Sequence, residues 1–229
     1  MKKTLAKAYK FSNSWTGTVL IVLFVIFFIA QAFRIPSGSM KDSLLIGDHL
    51  FAKKFAYGIS MPHIPFLEVS IIPWSNDLRL LDGDTPKRGD IVIFRYPGNV
   101  KQHFVKRCVG LPGDEIFVAE KNLYIHFSEG DAWIEEHYKD FKIATYDNKL
   151  WVENPYTKEH PGIHHDEKIV NNGRYPAPIF FFNPIKVEKD HYFMMGDNRD
   201  HSNDSRFWGA VPYENIEGTP WFIYFSLRY

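Results

Sequence analysis

Apolar residues fall along this chain in one long block followed by short alternating runs. From Trp15 to Phe33 no residue carries a charge, and Val19 to Ala30 is continuously apolar, with Lys10 before the block and Arg34 after it. At about 1.5 Å per residue such a helix just crosses a hydrocarbon core of about 30 Å, so the pattern predicts one transmembrane helix over 15–33. Lys2, Lys3, Lys7 and Lys10, with no acid among them, place residues 1–14 in the cytoplasm and everything after Arg34 on the far side. The same stretch also fits a cleavable export signal, with Ala30-Gln31-Ala32 as its cleavage site. Under either reading the body of the protein is exported.

Beyond the block the signals are those of a mostly β fold. Ser43-Leu44-Leu45-Ile46-Gly47-Asp48 leads into His49–Ala52, and Arg88-Gly89-Asp90 opens Ile91–Tyr96, which Pro97-Gly98-Asn99 closes. His103–Val109 runs into Gly110-Leu111-Pro112-Gly113-Asp114, and on a period of two Phe104, Lys106 and Cys108 share one face. Residues 115–184 mix Trp133, Tyr138, Tyr146, Trp151 and Tyr156 with many charges and with turns such as Asn171-Asn172-Gly173, without a long helical period. They read as a β-rich inserted subdomain between a first core part, 34–114, and a second, 185–229. In the second part, strands at Ile185–Val187 and Tyr192–Met195 precede the polar turn Gly196–Arg206, and Trp221–Leu227 forms a last apolar strand.

Composition narrows the function. The 229 residues carry no net charge, and no dense basic stripe exists to neutralise phosphates, which excludes a nucleic-acid partner. Cys108 is the one cysteine, so no intrachain disulfide staples the exported body. Aromatic residues, at 17%, favour β structure or a membrane-facing surface.

The candidate chemistry centres on Ser37-Gly38-Ser39-Met40, directly behind the apolar block. Such a cluster is a linker unless the chain supplies a base for the hydroxyl. His103 and His201 allow a Ser-His-Asp arrangement with Asp48, Asp197 or Asp204, and nothing in the sequence singles out one of them. His160, His164 and His165 lie in a loop with no helix-borne glutamate nearby, so no metal site is expected, and no residue pattern asks for a cofactor. The other base is Lys106, provided that burial keeps its amine neutral. Lowering a lysine from about 10.4 to about 8 costs roughly 3 kcal/mol, which apolar surroundings can impose. Ser202 could aim the amine without charging it, and Asp204 then belongs with Arg206 or Arg107.

Phe33-Arg34-Ile35-Pro36-Ser37-Gly38-Ser39-Met40, Leu44-Leu45-Ile46-Gly47-Asp48, Arg88–Phe94, Val105-Lys106-Arg107-Cys108-Val109-Gly110-Leu111-Pro112-Gly113-Asp114 and Gly196-Asp197-Asn198-Arg199-Asp200 with Ser202, Asp204, Ser205 and Arg206 resemble, in order, the motif boxes of bacterial type I signal peptidases. The resemblance implies a membrane-anchored serine endopeptidase with a Ser/Lys dyad. It would cut signal peptides from exported preproteins after Ala-x-Ala, on the periplasmic side of the bacterial inner membrane and near the secretion translocon. By position, Ser39 is the nucleophile, Lys106 the general base and Ser202 the residue that orients the lysine. The Ser37 hydroxyl and the Ser39 backbone N–H form the oxyanion hole. Phe33, Ile35, Met40, Leu44 and Val105 line the substrate pockets, while Arg107, Asp197, Arg199, Asp204 and Arg206 are structural. One departure is the loop after Met40: Lys41-Asp42-Ser43-Leu44 lacks the proline usual there and carries two charges. A specialised maturation protease and a non-enzymatic anchored β-domain that binds exported chains are the alternatives.

Overall fold

The computed structural model describes residues 2–61, 63–64, 69–70 and 79–227. The portions of the expected core segments that fall on residues 62, 65–68, 71–78, 228 and 229 lie outside them. In chain order the elements are α1 (Lys2–Ser12), α2 (Trp15–Phe24), a π-helical turn Val25–Ile29, β1 (Ala30–Arg34), the 3₁₀ turn Gly38–Met40, β2 (Asp48–Lys53), β3 (Gly58–Ser60), β4 (His63–Ile64), β5 (Val69–Ser70), β6 (Arg79–Asp82), β7 (Ile91–Tyr96) and β8 (Asn99–Gly110). There follow β9 (Glu115–Ala119), β10 (Asn122–His126), α3 (Asp131–His137), β11 (Ile143–Tyr146), β12 (Lys149–Glu153), β13 (Phe181–Lys186), β14 (His191–Met195), α4 (Ser205–Trp208), β15 (Val211–Pro212) and β16 (Ile216–Ser226).

The N-terminal block departs from the expected single helix over 15–33. Ser14 starts α2 by accepting the Gly17 N–H at 3.1 Å. Only ten α-helical and five π-helical residues follow. Ala30–Arg34 then leaves the helix and pairs antiparallel with β2, Ala30 opposite Lys53 and Arg34 opposite His49. Strand pairing thus takes the last residues of the apolar run, and no helix among the described residues is long and apolar enough to cross a membrane.

The main sheet is antiparallel in the order β1-β2-β16-β7-β8-β14-β15. β8 changes character along its length: it is exposed at its start and fully buried from Lys106 onward. The change coincides with the arrival of β14, which pairs with Arg107–Gly110 and does not reach Phe104–Lys106, strand residues whose partner among the described residues is β7. Beneath this sheet Ile35, Met40, Leu44, Leu50, Ala52 and Ile93 form one apolar cluster. Each large apolar side chain so buried contributes about 1.5–3 kcal/mol, enough to fix the 3₁₀ turn through Met40.

A second sheet, β11-β12-β10-β9-β13, is built from the inserted region. It reaches further than the expected boundary at 184, because Ile185 and Lys186 belong to β13 and face Ile116 and Glu115 of β9. The strand expected to resume the main sheet at Ile185 is therefore the closing strand of the insert, and the main sheet resumes at β14. The two sheets share a core in which Val109, Phe193 and Met195 of the first pack with Ile116, Val118, Leu123 and Ile125 of the second.

Candidate active site

A cleft of about 400 Å³ opens between β1 with the turn after it and the first half of β8. Phe33–Ser37, Ser39 and Met40 form one side, His103–Lys106 the other, and His201 and Asn203 close one end. β1 is the outer strand of its sheet, and among the described residues no strand pairs with Phe104–Lys106 on the side away from β7. The cleft therefore runs between two open strand edges, an arrangement that can hold an extended peptide by backbone hydrogen bonds.

On the cleft floor the Lys106 amine lies 2.7 Å from Ser39 Oγ, with Ser39 and Lys106 only 7% and 4% exposed. The amine also donates to the Val105 carbonyl at 2.9 Å. Burial pushes the Lys106 amine down to about 8, against the pull of the Asp204 and Asp197 carboxylates. Those acids are spoken for. Arg206 grips Asp204 through two bonds of 2.8 Å, and Arg107 grips Asp197 at 2.8 and 2.6 Å. Burial opposes ionisation of Asp204, yet the adjacent Arg206 guanidinium holds its carboxyl below the usual range. The charges thus neutralise one another in pairs, leaving the amine in an apolar setting beside the Phe104 ring.

The turn that carries Ser39 is held from several sides. Ser43 donates to Asp197 at 2.5 Å, so the loop that lacks the proline is tied down by its hydroxyl instead. Asp42 takes a left-handed φ of 72° there, a conformation its short polar side chain tolerates. Gly196 passes so close that a Cβ would stand 2.6 Å from the Ser39 carbonyl oxygen and would run into the Ser202 hydroxyl. Only glycine fits.

A nucleophile hydrogen-bonded to a buried, depressed lysine, in a cleft shaped for extended chain, is the equipment of a serine protease that uses no histidine. Over residues 9–225 the chain matches the family described as signal peptidase, peptidase S26. It is 44% identical to signal peptidase I of Helicobacter pylori, across 98% of this chain and 85% of that protein. The chain belongs to the signal peptidase family, peptidase S26. Signal peptidase I of Pseudomonas fluorescens is 34% identical across 95% of the chain and 72% of its own length, and that of Aquifex aeolicus 33% across 91% and 80%. A crystal structure of a signal peptidase I from Enterococcus faecalis aligns with 59% of the chain at 24% identity and a TM-score of 0.36, too loose a likeness to carry weight. The protein is accordingly a serine endopeptidase of the signal peptidase family.

Of the residues expected in this peptidase site, Ser37, Ser39 and Lys106 meet, with Ser37 Oγ 3.4 Å from Ser39 Oγ. Phe33, Ile35, Met40 and Val105 line the cleft. Leu44 does not; it is buried beneath the floor, packed with Ile35, Met40 and Leu50. Ser202 departs from its expected contact with the amine, whose second acceptor is the Val105 carbonyl. The Ser202 hydroxyl is buried without a hydrogen bond of standard geometry, although it helps hold down the Asp204 carboxyl. Arg199 is fully buried, and desolvation lowers it to about 10.

The histidines go elsewhere: His103 Nε2 lies 2.9 Å from Glu217, and His201 Nε2 3.1 Å from Asp166. Asp48, offered as a triad acid, accepts the Leu45 N–H and the Ser226 hydroxyl. His164 and His165 belong to the docking of the insert. His165 bonds Asp200, which also meets Lys121 and the Asp166 N–H, and these contacts hold Asp200 near 2. Sequence reasoning missed Asn203 and Asn198 as neighbours of the site.

Proposed function

We propose that this peptidase removes signal peptides from exported preproteins by attack of Ser39 on the carbonyl of the last alanine of an Ala-x-Ala sequence. The observation that carries this reading is the 2.7 Å contact between a buried Ser39 hydroxyl and a Lys106 amine that burial lowers to about 8. Neutral Lys106 takes the hydroxyl proton as the Ser39 oxygen bonds to the carbonyl carbon, and returns it to the leaving amine. The oxyanion so formed faces the Ser39 N–H and the Ser37 hydroxyl. Water then enters, again through Lys106, to release the acyl group. Arg107 with Asp197 and Arg206 with Asp204 keep the surrounding charges paired, Arg199 is buried beside them, and Ser202 fills the space that Gly196 leaves open.

The membrane reading is supported by surface chemistry. Leu20, Ile21, Val22 and Phe24 of α2 are exposed, as are Trp221, Phe222, Ile223, Tyr224 and Phe225 of β16. Exposed apolar runs of this length are suited to a lipid surface. On this reading the lysines of the N-terminus stay on the cytoplasmic side and the cleft works at the outer face of the membrane, beside the emerging preprotein and the translocon that delivers it. Residues 34–114 and 187–229 then act as the catalytic core and 115–186 as its insert.

The apolar lining of the cleft predicts which preproteins are cut. A preprotein with Ala-x-Ala should be cleaved at least 10²-fold faster than the same chain with phenylalanine at both alanine positions, measured as kcat/KM on detergent-solubilised protein, since a misfitting side chain at each of two sites lined by Phe33, Ile35, Met40 and Val105 costs about 1–3 kcal/mol. Equal rates on the two would sink the reading. Comparable rates on several unrelated Ala-x-Ala preproteins would further separate a general enzyme from a specialised one.

A further inference from the structure

Asn198 has no role in the chemistry above, yet it is the polar side chain that touches the back of the nucleophile turn. It is 6% exposed, and its Nδ2 donates to the Gly38 carbonyl at 3.0 Å while its backbone N–H donates to the Ser39 carbonyl at 3.1 Å. The side-chain orientation is dictated by chemistry, because Gly38 O can only accept and the amide oxygen cannot face it. Gly38 C=O and Ser39 N–H belong to one planar trans peptide, in which the two groups point in opposite directions. A donor that fixes the carbonyl from behind therefore fixes the N–H toward the front, where the oxyanion forms. The Ser39 carbonyl, held by the Asn198 N–H, fixes the next peptide in the same way.

We propose that Asn198 is a positioning residue that sets the direction of the oxyanion-binding N–H of Ser39. The inference rests on the reading of Ser39 as nucleophile. Asn198 is itself held on both flanks by the insert: His164 N–H donates to Asp197 O at 2.9 Å, and Arg199 N–H to His164 O at 3.0 Å, forming an isolated bridge around it. The loop of the inserted sheet that contains Gly162–Asp166 thereby reaches the catalytic turn through Asn198, besides its own contact of His164 with Asp42. The insert is thus a brace for oxyanion geometry as well as a companion to the core.

The test uses the full chain and three readouts: cleavage of an Ala-x-Ala peptide, inhibition by the matching peptide aldehyde, and inhibition by the matching peptidyl alcohol. The aldehyde forms a bond between its carbonyl carbon and Ser39 Oγ, its oxygen takes the charge and Lys106 takes the proton, so it reports the oxyanion site. The alcohol only fills the cleft. For Asn198→Ala the expected result is a fall in kcat of about 10²-fold, the size of effect a misplacement of about 1 Å brings, with KM within twofold. Aldehyde inhibition should weaken by a like factor and alcohol inhibition should not change. Asn198→Asp, equal in size but without the donor, should behave the same way.

Unchanged kcat in either variant, or equal weakening of aldehyde and alcohol, would overturn the assignment. So would loss of cooperative unfolding in both variants, which would make Asn198 a residue of the fold alone. Ser39→Ala separates the two levels. If it stays active, the nucleophile itself is misassigned; if it is inactive while the Asn198 variants match the parent, only the positioning role fails.

Discussion

Ser39→Ala and Lys106→Met are each expected to lower kcat/KM on an Ala-x-Ala substrate by about 10⁴-fold, the upper range for loss of a positioned proton-transfer group. The two losses should not add, since nucleophile and base act as one unit and the double variant removes nothing further. Their effects on stability should differ. Folding moves the Lys106 amine from its ordinary value of 10.5 to about 8, so below pH 8 the native state carries a penalty of about 3 kcal/mol for holding it where its charge is unwelcome. Between about 8 and 10.5 the unfolded chain binds more protons than the native one, and stability rises with pH through that window. Lys106→Met abolishes the penalty, fills the same space and should unfold at higher temperature than the parent at pH 7 while being inactive. A Lys106→Met protein that is less stable than the parent at pH 7 and equal to it above pH 10.5 would contradict the burial argument.

Asp197→Ala is expected to destabilise the peptidase by about 3–5 kcal/mol, the cost of leaving one member of a buried ion pair uncompensated. The side chains of Arg107 and Asp197 are 5% and 1% exposed, and Asp197 accepts two bonds from Arg107 and one from Ser43. Without the carboxylate, Arg107 keeps only its bond of 2.5 Å to the Gly89 carbonyl and a long one to Ser43. The loop after Ser39 loses its tether at the same time, so activity should fall with stability. Denaturant unfolding measures the first effect, and a change below 1 kcal/mol would show that the pair is not the brace described here.

Local pattern sufficed where neighbours in sequence decide the structure. β7 and β8 follow from alternation and turns, and the half-buried lysine between Phe104 and Cys108 follows from a period of two. The site needed long-range facts. The 2.7 Å contact of Ser39 and Lys106 joins residues 67 apart, and only their likeness to ordered motif boxes paired them before the fold was known. The apolar block was overextended because hydropathy counts residues and does not see that Ala30–Arg34 can pair with β2. Ile185 was misassigned for a similar reason: its partner, Ile116, lies at the far end of the insert. Asn198 is invisible in the sequence because its acceptor is a backbone carbonyl 160 residues away, and a polar run such as Gly196–Arg206 implies that its side chains bond the backbone and one another without showing which backbone they reach.

The central claim is that neutral Lys106, rather than a histidine, is the base for Ser39. The pH dependence of kcat/KM tests it directly, since that ratio follows ionisation of the free enzyme. Activity should rise with pH along one limb centred at about 8, where burial places the lysine, and that limb should persist in His103→Ala and His201→Ala. A limb centred near about 6.5, the ordinary histidine value, that disappears in either histidine variant would contradict the account.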